Sequence, residues 1–199
     1  MGTLSYQRFV EEGEDLVKKM SKNGEKNICY VNGDREEGGY LKIERLLVVS
    51  ASKQENKEIH EDSECFDASV IEEDENSVEI NGKRENKDYL GAEYQVHYSA
   101  AYSVPLFLAR FYTSSGQTLP LDKVYKELGL KLDRFSLNEI SVSPHPLEDT
   151  PWIQIHPCKT GSIMAQIMLQ NELGNYLIGF LSFYGQSLGL ILDPKLAKV

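Results

Sequence analysis

The apolar positions of the first 22 residues fall on one helical face. Leu4, Phe9, Leu16, Val17 and Met20 recur near a 3.6-residue spacing, with Glu11, Glu12, Glu14 and Lys18 opposite them. This predicts an amphipathic helix lying on a core and ended by Asn23-Gly24. Two β-forming runs follow, at 27–32 and 40–50, split by a turn-rich stretch between Gly33 and Gly39. Strict alternation returns at 92–98, where Tyr94, Val96 and Tyr98 interleave with Glu93, Gln95 and His97. Residues 104–112 are more continuously apolar, with Pro105 marking an edge or a bend near their start. The link between the last two runs is short, which predicts an antiparallel hairpin.

Further on, 121–128 reads as a short helix behind Pro120, and 136–142 carries no decided period. Prolines at 144, 146, 151 and 157 then force extended or turn geometry. Thr160 is positioned to cap a helix from about 161 to 172, with Ile163, Met164, Ile167 and Met168 facing inward. A last apolar helix is expected over about 175–188. Helix, antiparallel strands, an irregular segment and helices again describe an α+β chain with helices packed on an antiparallel sheet.

Composition narrows the function. The 199 residues suffice for one domain, and at 41% apolar they can bury a core. No apolar run has the roughly eighteen residues of a bilayer span, and the start of the chain lacks a secretory pattern. The net charge of −10 disfavours nucleic acid and an anionic membrane surface as partners. Nearly all of that charge sits at 54–88, where 13 acidic and 4 basic side chains leave a net of −9. That stretch is expected to be a mobile acidic insertion in a single domain spanning 1–199. Three unpaired-looking cysteines, Cys29, Cys65 and Cys158, indicate a reducing, cytoplasmic setting. No recurring ligand spacing calls for a metal, and no cofactor motif is present.

Of the three thiols, Cys158 has the context of a nucleophile. Pro157 blocks regular structure before it, polar Lys159, Thr160, Gly161 and Ser162 follow, and a helix N-terminus is expected just downstream. Such a position favours thiolate. A papain-like protease is excluded because no histidine follows Cys158, and an upstream base would have to be His97 or His145, without a supporting motif. Redox exchange lacks a second nearby cysteine. Acyl transfer through a thioester remains, because its leaving group needs no strong base.

Ile155-His156-Pro157-Cys158-Lys159-Thr160, following Pro151-Trp152-Ile153-Gln154-Ile155, resembles the His-Pro-Cys motif of the autophagy-related protein ten family of E2-like conjugating enzymes. The stretch from Glu93 to Leu106, His145-Pro146 and the closing Leu181 to Leu190 are similar to the same family. The resemblance implies an E2-like fold. It also implies that Cys158 accepts the ubiquitin-like autophagy protein twelve as a thioester from the E1-like autophagy protein seven, for transfer to a lysine of autophagy protein five. His156 and Tyr102 are then expected to support the reaction, since Pro144-His145-Pro146-Leu147 lacks the asparagine found in ubiquitin E2s. The 92–112 hairpin is expected to dock the acceptor by strand addition, with Tyr94, Val96, Tyr98, Leu106 and Leu108 as contact residues. Two other readings remain: the sibling enzyme that conjugates a ubiquitin-like protein to lipid, and a catalytically silent E2-like adaptor.

Overall fold

The structure is a computed structural model. It describes residues 2–33, 38–49, 89–130, 139–170 and 174–197. Helix α1 (Tyr6–Lys22) is followed by strands β1 (Ile28–Val31), β2 (Tyr40–Val48), β3 (Tyr89–Ser99) and β4 (Val104–Tyr112). Helix α2 (Leu121–Leu128), strands β5 (Ile140–Pro144) and β6 (Pro151–Ile155), and helices α3 (Thr160–Gln170) and α4 (Tyr176–Tyr184) complete the order. The acidic stretch 54–88, with Cys65, lies outside the described residues.

One antiparallel sheet runs β1-β2-β3-β4-β6-β5, with α1 and α4 packed against it. This is the expected α+β class. Alternation decides the faces. Leu41 and Ile43 of β2, Tyr94 and Val96 of β3, Phe107, Ala109 and Phe111 of β4, and Ile153 and Ile155 of β6 all join one core. Phe9, Leu16 and Met20 of α1 and Leu177, Phe180 and Leu181 of α4 close it. The α1 face predicted from spacing is the buried one, with Val17 half-buried at its margin.

Helix α4 is apolar on all sides and buried almost throughout, and its N-terminus is held from α1. Glu12 Oε2 accepts from the backbone N–H of Tyr176 (2.5 Å) and Leu177 (3.2 Å), donors that no turn of α4 could satisfy. Asn175 caps the same end through Ile178 N–H (3.1 Å) and donates to the Glu12 carbonyl (3.0 Å). The hairpin turn is tied to the chain start by Leu4 N–H to Ser103 O (2.8 Å) and by Tyr98 hydroxyl to Leu4 O (2.9 Å).

Several expectations change. The undecided 136–142 stretch contains a strand in its described part, β5. The terminal helix is shorter than 175–188, giving way to a 3-10 turn at Gly185–Leu188. Thr160 is the first residue of α3 and not its cap, because a 3-10 turn, Pro157–Lys159, feeds straight into the helix. Pro105 lies where β6 leaves β4 unpaired, since that ladder covers only Phe107 to Ala109.

Candidate active site

Cys158 stands at the junction of β6 and α3. The buried Pro157 anchors the 3-10 turn Pro157–Lys159, and Cys158 in its middle is exposed. The turn is capped by His156, whose Nδ1 accepts the Cys158 N–H at 3.2 Å. An imidazole nitrogen that accepts carries no proton, so in the neutral ring the proton sits on Nε2. The His156 N–H in turn donates to the Glu139 carbonyl (2.7 Å), which fixes the turn to the start of β5.

The β3–β4 hairpin turn meets this loop. Tyr102, 45% exposed, sets its ring edge-to-face against His156, with centroids 5.8 Å apart. Three residues picked out from the sequence, Tyr102, His156 and Cys158, thus converge. Four others stand beside them. Lys159 forms an ion pair with Glu139 beside the thiol. Thr160, buried behind the turn, is hydrogen-bonded to Tyr184 of α4, whose hydroxyl burial pushes up to about 12. Lys159 and Thr160 had a signal in the sequence, their place just after Cys158; Glu139 and Tyr184 arrive through long-range pairing and packing.

The remaining candidates lie elsewhere. Tyr94, Val96 and Leu108 are completely buried. Tyr98 and Leu106 are half-buried, and Tyr98 is committed to Leu4. β3 is paired by β2 from Tyr89 to Val96 and by β4 from Gly91 to Ser99, and β4 by β3 and, at its centre, β6. Free main-chain edge on the hairpin is therefore confined to 97–99 on the β2 side of β3 and to 104–106 on the β6 side of β4. The strands with one neighbour are β1 and β5.

His97 and His145 are also set apart from Cys158. Both are buried on the other face of the sheet, and both bond through Nε2 to the same Gln95 Oε1, at 2.8 and 2.9 Å. His145 Nδ1 accepts the N–H groups of Leu147 and Glu148, at 3.2 and 3.1 Å. Burial holds His97 down to about 3 and moves His145 in the same direction. Buried there against Gln95, neither is placed as a base for the thiol. Cys29 is exposed on β1 opposite Lys42. Among the described residues, no three metal-ligating side chains gather, and no helix is long and apolar enough to cross a membrane.

The sequence profile described as "Autophagocytosis associated protein, active-site domain" matches residues 8–195. The "Ubiquitin-like-conjugating enzyme ATG10" of Arabidopsis thaliana is 26% identical over 167 residues, covering 78% of this chain and 74% of its own. The Homo sapiens protein of the same name is 30% identical over 114 residues, 53% of this chain and 52% of its own. Among solved structures, a crystal structure of the autophagic E2 Atg10 aligns at 16% identity and a TM-score of 0.49, covering 94% of this chain and 98% of that one. The solution structures of KmAtg10 align at 13% identity and a TM-score of 0.48, covering 94% and 96%.

Proposed function

The chain belongs to the family of autophagocytosis-associated proteins with the active-site domain, and on that premise we propose that it is an E2-like conjugating enzyme of autophagy working through a Cys158 thioester. Its cargo is the ubiquitin-like autophagy protein twelve, received from the E1-like autophagy protein seven. Its acceptor is a lysine of autophagy protein five. The whole chain 1–199 serves as one conjugating domain in the cytoplasm, without nucleic acid, stable membrane insertion, metal or cofactor.

The observation that carries this reading is an exposed thiol on a rigid capped turn, with an imidazole and a phenol beside it. In the first step the Cys158 thiolate attacks the E1-bound thioester; one C–S bond forms, another breaks, and the E1 thiolate leaves. In the second, an acceptor lysine attacks the Cys158 thioester, an oxyanion develops, and collapse to the amide expels the Cys158 thiolate. The amine proton passes to solvent. Because a thiolate leaves readily, the site has to orient the amine and stabilise the oxyanion more than it has to supply a base. With Nδ1 occupied by the Cys158 amide, His156 turns an Nε2–H outward as a donor. Tyr102, held against that ring, offers a second donor in its hydroxyl.

Reconstitution tests this reading. The purified protein, autophagy protein seven, ATP and autophagy protein twelve should give an adduct sensitive to reducing agent. Adding autophagy protein five should convert it to a stable conjugate. Charging with a lipid-linked modifier followed by transfer to phosphatidylethanolamine would favour the sibling enzyme. No adduct with any modifier would leave an adaptor.

A further inference from the structure

Lys159 is a hazard if Cys158 carries a thioester. It is the next residue, its Cα about 3.8 Å from that of Cys158, and its flexible side chain is long enough to swing back over a neighbouring carbonyl. A tethered amine competes at a high effective concentration with an acceptor that must diffuse in. An amine attacking there would form an isopeptide bond to Lys159, break the C–S bond, release the Cys158 thiolate and give the amine proton to solvent. The modifier would be consumed on the enzyme itself.

Lys159 is not left to swing. Its Nζ is paired with Glu139 Oε1, from the residue that precedes β5. The lysine side chain is 59% exposed, whereas the carboxylate is 14% exposed and springs from a main chain pinned by the Glu139 carbonyl accepting the N–H of His156. The anchor therefore belongs to the same turn that presents the thiol. We infer that Glu139 is a positioning residue that clamps the Lys159 amine away from the Cys158 thioester and so prevents self-conjugation at Lys159. This rests on the proposed thioester function and names a role in it.

The charged surroundings agree. The Glu139 carboxylate raises the proton affinity of Lys159, first by hydrogen bonding and then by charge. From α4, the group near Cys158 and Glu139 is the Tyr184 hydroxyl, pushed up to about 12 and neutral around pH 7. Only the protonated amine makes the pair, and only the free amine attacks, so holding the proton and holding the side chain work together.

The test charges full-length wild-type, Glu139→Gln, Lys159→Arg and doubly substituted proteins with autophagy protein twelve, in the absence of acceptor. Adducts are resolved with and without reducing agent and mapped by peptide mass spectrometry. Glu139→Gln should raise the resistant adduct at Lys159 by roughly two- to fivefold, the range set by loss of a part-exposed ion pair. Its rate should climb at lower pH than in the wild type, and Lys159→Arg should abolish it in both backgrounds. A normal reducible thioester with no rise at Lys159, or a rise at another lysine, overturns the inference alone. Loss of the reducible thioester from the wild type overturns the functional reading and this inference with it.

Discussion

Acidification should destabilise this protein through a histidine pair that plays no part at Cys158. His97 is 6% exposed, stacks on Tyr40 with centroids 4.6 Å apart, and uses its Nε2 on Gln95. The same oxygen serves His145, which lies against Trp152 at 4.8 Å. The charged groups around the pair are Lys42 of β2, Glu93 of β3, Arg110 of β4 and Glu148 between β5 and β6. These acids already face Lys42 and Arg110, so a new imidazolium would gain little there. Burial, with the neighbouring His145 adding to it, keeps His97 down to about 3, against about 6.5 in an unfolded chain. The folded state thus refuses a proton that the unfolded state accepts below pH 6.5. Stability from this group is complete above pH 6.5 and is lost progressively as pH falls toward 3. Between pH 8 and pH 5 the difference amounts to about 2 kcal/mol for His97 alone, and His145 acts with the same sign. Urea unfolding at the two pH values, with His97→Phe as the control, measures it. The variant keeps a ring on Tyr40, and His145 still occupies Gln95. Wild type should lose about 2 kcal/mol more than His97→Phe; parallel losses would refute the reasoning.

Other outcomes follow from single contacts. Glu12→Ala leaves the buried N–H groups of Tyr176 and Leu177 without acceptors and should cost ~2–4 kcal/mol in chemical denaturation. A loss under 1 kcal/mol would mean that water replaces the carboxylate. In single-turnover discharge, His156→Ala should slow transfer from Cys158 to the acceptor lysine by roughly 10²-fold, the size of one lost oxyanion donor. Tyr102→Phe keeps the ring contact with His156 and isolates the contribution of the hydroxyl. Unchanged discharge in both would remove these residues from the chemistry.

Much of the fold was readable because local pattern and tertiary burial agree. The α1 face, the 121–128 helix and the β3–β4 hairpin each follow from spacing, proline placement or alternation. β5 was not readable, since Ile140 and Val142 make a weak run and the strand exists through its pairing with β6. Alternation in β3 predicts one wet face, yet Gln95 and His97 are buried because His145 closes over them. Hydrophobic period also says nothing of strand order, so the pairing that covers most of the hairpin from both sides was not legible. At the site, prolines and polar neighbours singled out Cys158. The cap was misassigned, because hydroxyl preference points to Thr160 while the turn begins earlier and takes the imidazole of His156. Glu139 reaches Lys159 across twenty residues, a contact no local window contains.

The central claim is that Cys158 carries the modifier. Charging Cys158→Ser with autophagy protein seven, ATP and autophagy protein twelve tests it most directly. An oxygen ester should accumulate that survives reducing agent and is cleaved by mild alkali, while wild type gives an adduct lost on reduction. If Cys158→Ser still forms a reducible adduct, the acyl group sits on another cysteine and the account of this site is wrong.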